Sequence, residues 1–224
     1  MRFLLSLLFC TLCTSNILGQ SIVLRFQIEF QKQALVLHKN YRVGEDTINI
    51  EKLKFYVSHI ALYQNEQLVK PIDKAFHLVD LEDNTTLVLD SKINTGLVFN
   101  QIKFTLGIDS VTQVSGALGG DLDPTKGMYW TWQSGYINFK LEGTASNCPG
   151  RNHHFQYHLG GYQYPFACWQ NLALKRSPSN IINIKLPIDE FLAFVQPQKN
   201  FEIMSPSIKS LDLSRHLSTL FSAQ

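Results

Sequence analysis

The residues of this chain best suited to ligation or redox chemistry are its histidines, its tryptophans and a pair of cysteines in the C-terminal half. The histidines are densest in residues 152–161 (NHHFQYHLGG), which hold His153, His154 and His158. Neutral imidazole is a good ligand for copper and zinc. On a helix His154 and His158 would meet one turn apart and could share an ion. The composition FQYHL favours a strand, where the two share a face but lie about 13 Å apart. A single ion could not then take both, so a histidine site needs a ligand from elsewhere in the chain. His77, alone in the apolar stretch FHLVD of residues 76–80, is the candidate. The competing reading for each is a hydrogen-bonded or surface histidine.

A second group is aromatic. Residues 127–136 (GMYWTWQSGY) would place Trp130, Trp132 and Tyr136 on one face of a strand, with Ile137, Phe139 and Leu141 on the other. A packed sheet face, a glycan platform and a redox-active aromatic site are all open to such residues. Just upstream, Asp121 and Asp123 present two carboxylates. They suit an oxygen-ligated cation such as calcium, or a turn held by Asx hydrogen bonds. No nucleophile elbow, P-loop, GxGxxG or HExxH occurs, and no nucleophile–base pair can be named, so a non-enzymatic role is expected.

These groups need a scaffold, and the chain reads mostly as strand. Residues 21–30 (SIVLRFQIEF) alternate, with Ile22, Leu24, Phe26, Ile28 and Phe30 on one face and Arg25, Gln27 and Glu29 on the other, and β-branched and aromatic runs recur at 54–63, 76–81, 98–108, 128–141, 155–159 and 181–186. Asn, Asp and Gly breaks separate them. Residues 109–127 form a long Gly-rich loop with room for one helical turn, and short helices are expected near Asp189 and over 206–221. The intervening helices that a parallel α/β sheet requires are missing. The expectation is an all-β fold, an antiparallel sandwich or barrel-like domain with long loops and one or two short helices, spanning 20–224 as a single unit.

Residues 1–19 read as a secretory signal peptide: a positive start, an apolar run over 3–13, then a polar stretch ending at Gly19. The run is too short to span a bilayer, and the residues before Cys10 and Cys13 do not suit lipidation. Export to the periplasm or medium follows, and in an oxidising compartment Cys148 and Cys168 are expected to pair as a disulfide. Lys+Arg is 20 and Asp+Glu 18, a balance that excludes a nucleic-acid binder working through a basic face.

Several blocks together resemble one family. FTLGIDS at 104–110, GDLDP at 120–124, GMYWTWQSGYINFKLEG at 127–143 and FQYHLGGY at 155–162 occur in the order seen in the MbnP-like family. That family comprises exported proteins associated with copper and methanobactin, including MopE and CorA. The resemblance implies a β-rich, copper-binding protein for scavenging or delivery. Relatives hold copper with two histidines and a kynurenine made from tryptophan by a di-haem, MauG-type partner. By motif His158 and His77 match the copper histidines, with His154 in reserve, and Trp130 and Trp132 are candidate targets of oxidation. The tryptophan of the relatives would stand two residues before His77, where this chain has Ala75. The rival expectation is a secreted binding module that presents its aromatics to a glycan or protein without metal.

Overall fold

The computed structural model describes residues 21–94, 96–132, 135–176 and 179–224. The expected signal segment lies outside the described residues. In chain order the strands are β1 (Ser21–Phe30), β2 (Gln33–Ala34), β3 (Asn40–Val43), β4 (Asp46–Gln64), β5 (Gln67–Pro71), β6 (Phe76–Asp80), β7 (Val88–Asn94) and β8 (Gln101–Leu106). They continue as β9 (Tyr129–Trp130), β10 (Gly135–Ala145), β11 (His154–Gly160), β12 (Gln170–Lys175), β13 (Ile181–Pro187), β14 (Glu202–Ile203) and β15 (Ser222–Ala223). The helices are α1 (Ser110–Val114), α2 (Ile188–Val195) and α3 (Ile208–Leu220).

The smaller sheet runs β15-β13-β1-β2, with β7 also on β1; the larger runs β12-β8-β4-β10-β11-β14, with β3, β5, β6 and β9 attached to it. The alternation in β1 buries Ile22, Leu24, Phe26, Ile28 and Phe30 between the sheets and leaves Arg25 and Gln27 outside. Phe55 of β4, Phe139 of β10 and Phe191 of α2 complete the same core. The all-β expectation holds, with one departure from an antiparallel fold. β13 pairs with β1 in parallel, and β14 with β11. Most strands of the larger sheet lie between β1 and β13 in the chain, which gives the long crossover that a parallel pair requires.

Both late helices form where the sequence places them. α2 carries Asp189 and Glu190 in its first turn and buries Ile188, Phe191, Leu192 and Val195, a 3–4 spacing. α3 starts at Ser207, whose hydroxyl accepts from the Ser210 N–H.

The tryptophan block does not run as one strand. It folds as a hairpin in which Tyr129 pairs with Tyr136 and Trp130 with Gly135. Trp130 is buried, while Trp132, at the turn, is 65% exposed. The shared face expected for Trp130 and Trp132 is therefore absent, although their rings remain 5.7 Å apart. Trp130 lies on Gly160 of β11, where an added Cβ would come within 2.7 Å of the indole. Gly107, with φ +101°, sits similarly close to Asn138, whose Oδ1 accepts from the Ile108 N–H. The LGID, YINF, WTW and HLGG blocks thus interlock as one packed unit.

Candidate metal site

The position of each candidate follows from sheet register. Leu159 pairs with Phe139, Phe139 with Phe55, and Phe55 with Val79, giving one row across β11, β10, β4 and β6. All four belong to the core, so this row faces inward. The next row is His158, Lys140, Lys54 and Asp80, which faces outward by alternation. His77 is two residues from Val79 and therefore faces inward, where its ring stacks on Phe26 at 5.6 Å. His77 and His158 stand on opposite faces of the sheet. Three strand intervals, about 14 Å, separate their strands. The structure does not bring together the pair expected to share copper.

His158 is buried in an ionic ladder. Its Nε2 lies 2.7 Å from Glu142 Oε1, and Lys140 and Lys52 approach the same carboxylate at 3.4 and 3.5 Å. The His158 contact, and then the two lysines, hold Glu142 down at about 2 against the opposing effect of burial. Lys54 continues the ladder to Asp80 and Glu82 at 2.9 and 2.7 Å. His154 faces the same side of β11 with both ring nitrogens engaged, Nε2 with Glu51 at 3.1 Å and Nδ1 with Gln156 at 3.0 Å.

His77 is different. Among the described residues β6 pairs with β4 alone, and the turn at Gly120–Leu122 lies against it through the Leu78 N–H, which donates to Asp121. The turn at Asn84–Leu87 supplies the Thr86 carbonyl, 2.7 Å from His77 Nε2. A carbonyl only accepts, so Nε2 carries the hydrogen and the neutral ring keeps its lone pair on Nδ1. That Nδ1 is buried and has no hydrogen-bond partner. Asp121 Oδ2 stands 3.8 Å away, too far for a hydrogen bond. Burial first, and the Lys74 charge second, push His77 below the ordinary histidine range. The ring is therefore neutral near pH 7. Burial would raise Asp121, yet Lys74 at 2.7 Å and the Leu78 N–H at 3.2 Å keep it low and ionised.

The two aspartates named together in the sequence divide their roles. Asp123 forms the expected Asx turn with the Thr125 N–H, and Asp121 goes to the β6 edge. Pairing of Asp121 with His77 was not legible, because 43 residues separate Leu78 from it and only the cover of β6 joins them. The same holds for Lys74, Thr86 and Glu142. Among the described residues no three His, Cys, Asp or Glu side chains converge as a metal cluster.

The cysteines are corrected too. Cys148 and Cys168 are buried free thiols, not a disulfide. The Cys148 thiol donates to the His154 carbonyl at the start of β11, and the Cys168 N–H donates to Gly161 just past its end. A strand about 20 Å long lies between them, well beyond disulfide reach.

A family model described as MbnP matches residues 19–210. Among solved structures the chain is similar to MbnP from Methylosinus trichosporium, at 12% identity and a TM-score of 0.56, over 83% of this chain and 79% of that one. At that identity the likeness bears on the fold. No curated protein matches the chain.

Proposed function

Because the chain belongs to the MbnP family, we propose that it is an exported, non-enzymatic copper-binding protein in which His77, rather than a His77–His158 pair, carries the metal. One observation carries this reading: His77 Nδ1 is a buried, unpartnered lone pair, while Nε2 is held by the Thr86 carbonyl. Metal-bound histidines characteristically donate their second nitrogen in this way, which fixes the tautomer and aims the ligating atom. Copper suits such a nitrogen because it stands at the top of the divalent affinity order and accepts imidazole readily. Bound copper would supply a cargo for scavenging or delivery. The chain's own residues hold the ring neutral, orient it against Phe26 and exclude bulk water.

Ala75 leaves no indole two residues before His77 to become a kynurenine. A di-haem, MauG-type oxidase therefore has no tryptophan to act on at that position. His158 and His154 serve as ladder residues of the outer face. Copper analysis of the protein exported by its own host tests the assignment. His77→Ala should lose most of the copper and His158→Ala should retain it. Equal retention in both variants would contradict the reading.

A second reading has its own observation. Trp132 is 65% exposed and Tyr164 is 97% exposed, so the chain presents aromatic rings to solvent. A glycan-binding module predicts indole fluorescence that responds to oligosaccharide and is lost in Trp132→Ala, with no response to copper.

A further inference from the structure

A cavity of about 190 Å3 opens between α2, the end of β10 and the turn from β3 into β4. Its buried lining is apolar: Phe30, Ile48, Ala145, Leu192 and Pro197. Its exposed lining is neutral, with Asn147, Ala193 and Gln198 among it. Two half-buried carboxylates, Asp46 and Asp189, face the same space. Among the described residues no lysine, arginine or histidine lines it.

The two carboxylates are held differently. Asp46 is satisfied by neutral donors: Oδ1 accepts from Ser146 Oγ at 2.9 Å and Oδ2 from Asn147 Nδ2 at 2.5 Å. Asp189 has its Oδ1 buried without a hydrogen-bond partner. Among the described residues neither carboxylate forms an ion pair. The first turn of α2 favours an acid at Asp189. That preference accounts for the charge and leaves the bare oxygen unexplained, and a buried acceptor without a partner is costly. The walls are set before any ligand arrives. The Gln196 N–H donates to the Leu192 carbonyl, and the Gln196 carbonyl accepts from the Lys199 and Asn200 N–H groups at 2.8 and 3.0 Å, which fixes the turn after α2.

An apolar pocket with anionic walls complements an organic cation that carries an apolar body. The nitrogen of that cation should bear hydrogens. A quaternary ammonium seeks several aromatic faces, and among the described lining residues Phe30 is the one aromatic. A bare carboxylate oxygen calls instead for a donor, and a charged donor makes the stronger bond. We infer that this cavity binds a primary alkylammonium group, with Asp189 Oδ1 as its acceptor, Asp46 as a second anion and the buried apolar residues against its carbon chain. The inference is independent of the copper reading. A free amine and the lysine side chain of a partner present the same group.

The test is a titration of the purified protein with n-butylammonium chloride at fixed ionic strength, followed in 1H–15N spectra. Saturable shifts should appear at the amides of residues 189–193 and at the Asn147 side-chain amide, with a Kd on the order of 1 mM, which so small a ligand permits. n-Butanol has the same chain without the charge, and ammonium chloride the charge without the chain; each should bind at least about 10-fold more weakly. Asp189→Asn keeps the side-chain shape and should weaken butylammonium binding about 10-fold, the worth of a hydrogen bond to a charged group. Ala193→Leu, at an exposed helix position, should block entry, and thermal unfolding checks that both variants fold. Acetyl-lysine methylamide separates the sources: binding as tight as that of butylammonium assigns the site to a partner's lysine, and no response to it assigns free amines. No saturable shift below about 50 mM butylammonium, equal binding of butanol, or unchanged affinity in either variant would overturn the inference.

Discussion

The outer face of β10 and β11 and the covered edge of β6 both carry a buried histidine for which the family resemblance implies a copper-ligand role. On the outer face His158 meets Glu142, two lysines crowd the same carboxylate, and Trp130 closes over Gly160 two residues further along. There the imidazole, the carboxylate and the lysines contact one another. At the β6 edge His77 is held by one nitrogen and left without a hydrogen bond on the other, beside a carboxylate whose partner is a half-exposed lysine. Burial alone therefore does not set the two apart; what does is that His158 meets a carboxylate shared with two lysines, whereas His77 meets a carbonyl and keeps a buried Nδ1 without a hydrogen-bond partner.

If the outer face is a packed structural unit, the largest effect comes from emptying it. Trp130→Ala should cost about 3–5 kcal/mol in denaturant unfolding, the range for a buried large aromatic. Wild-type stability in that variant would break the contrast. Glu142→Gln comes next, at about 1–3 kcal/mol, because it weakens charge-assisted contacts to a buried histidine. Copper binding should be unaffected by it. The pH dependence has a defined sign. Glu142 is held at about 2 when folded and titrates near 4.3 when unfolded. Its contribution is fully present above the unfolded value and is lost as pH falls from there through the folded one. Urea midpoints between about pH 5 and pH 2 should fall more steeply in wild type than in Glu142→Gln. The smallest effects belong to exposed partners. Glu51→Gln and Trp132→Ala should each stay within about 0.5 kcal/mol of wild type, which sharpens the difference between Trp132 and Trp130.

The strands and late helices were legible because their burial period is written in consecutive residues: the alternation of β1 and the 3–4 spacing of α2 are local facts. The family blocks were legible for a related reason. Gly107 and Gly160 sit where Asn138 and Trp130 leave no room for a Cβ, so the blocks around them carry a packing constraint in their residue types. That pattern describes packing. His158 stands in one of these blocks, and the chain folds it against Glu142 in an ion ladder. The hairpin at Trp130 was missed because alternation in a short aromatic run cannot reveal a turn, and the parallel pairing of β13 because direction depends on the whole intervening chain. Asp121 and Lys74 were missed as partners of His77 because the edge of β6 brings them together, and no spacing in the sequence encodes which loop covers an edge.

The central claim is that metal enters at His77 Nδ1 and leaves His158 untouched. Histidine side-chain 15N spectra, recorded while Zn(II) is titrated as a diamagnetic stand-in for copper, test it most directly. The account expects the His77 Nδ1 resonance to shift at low metal, with Nε2 remaining protonated on the Thr86 carbonyl and the His158 signals unmoved. Titration of His158 or His154 with His77 unchanged would contradict it.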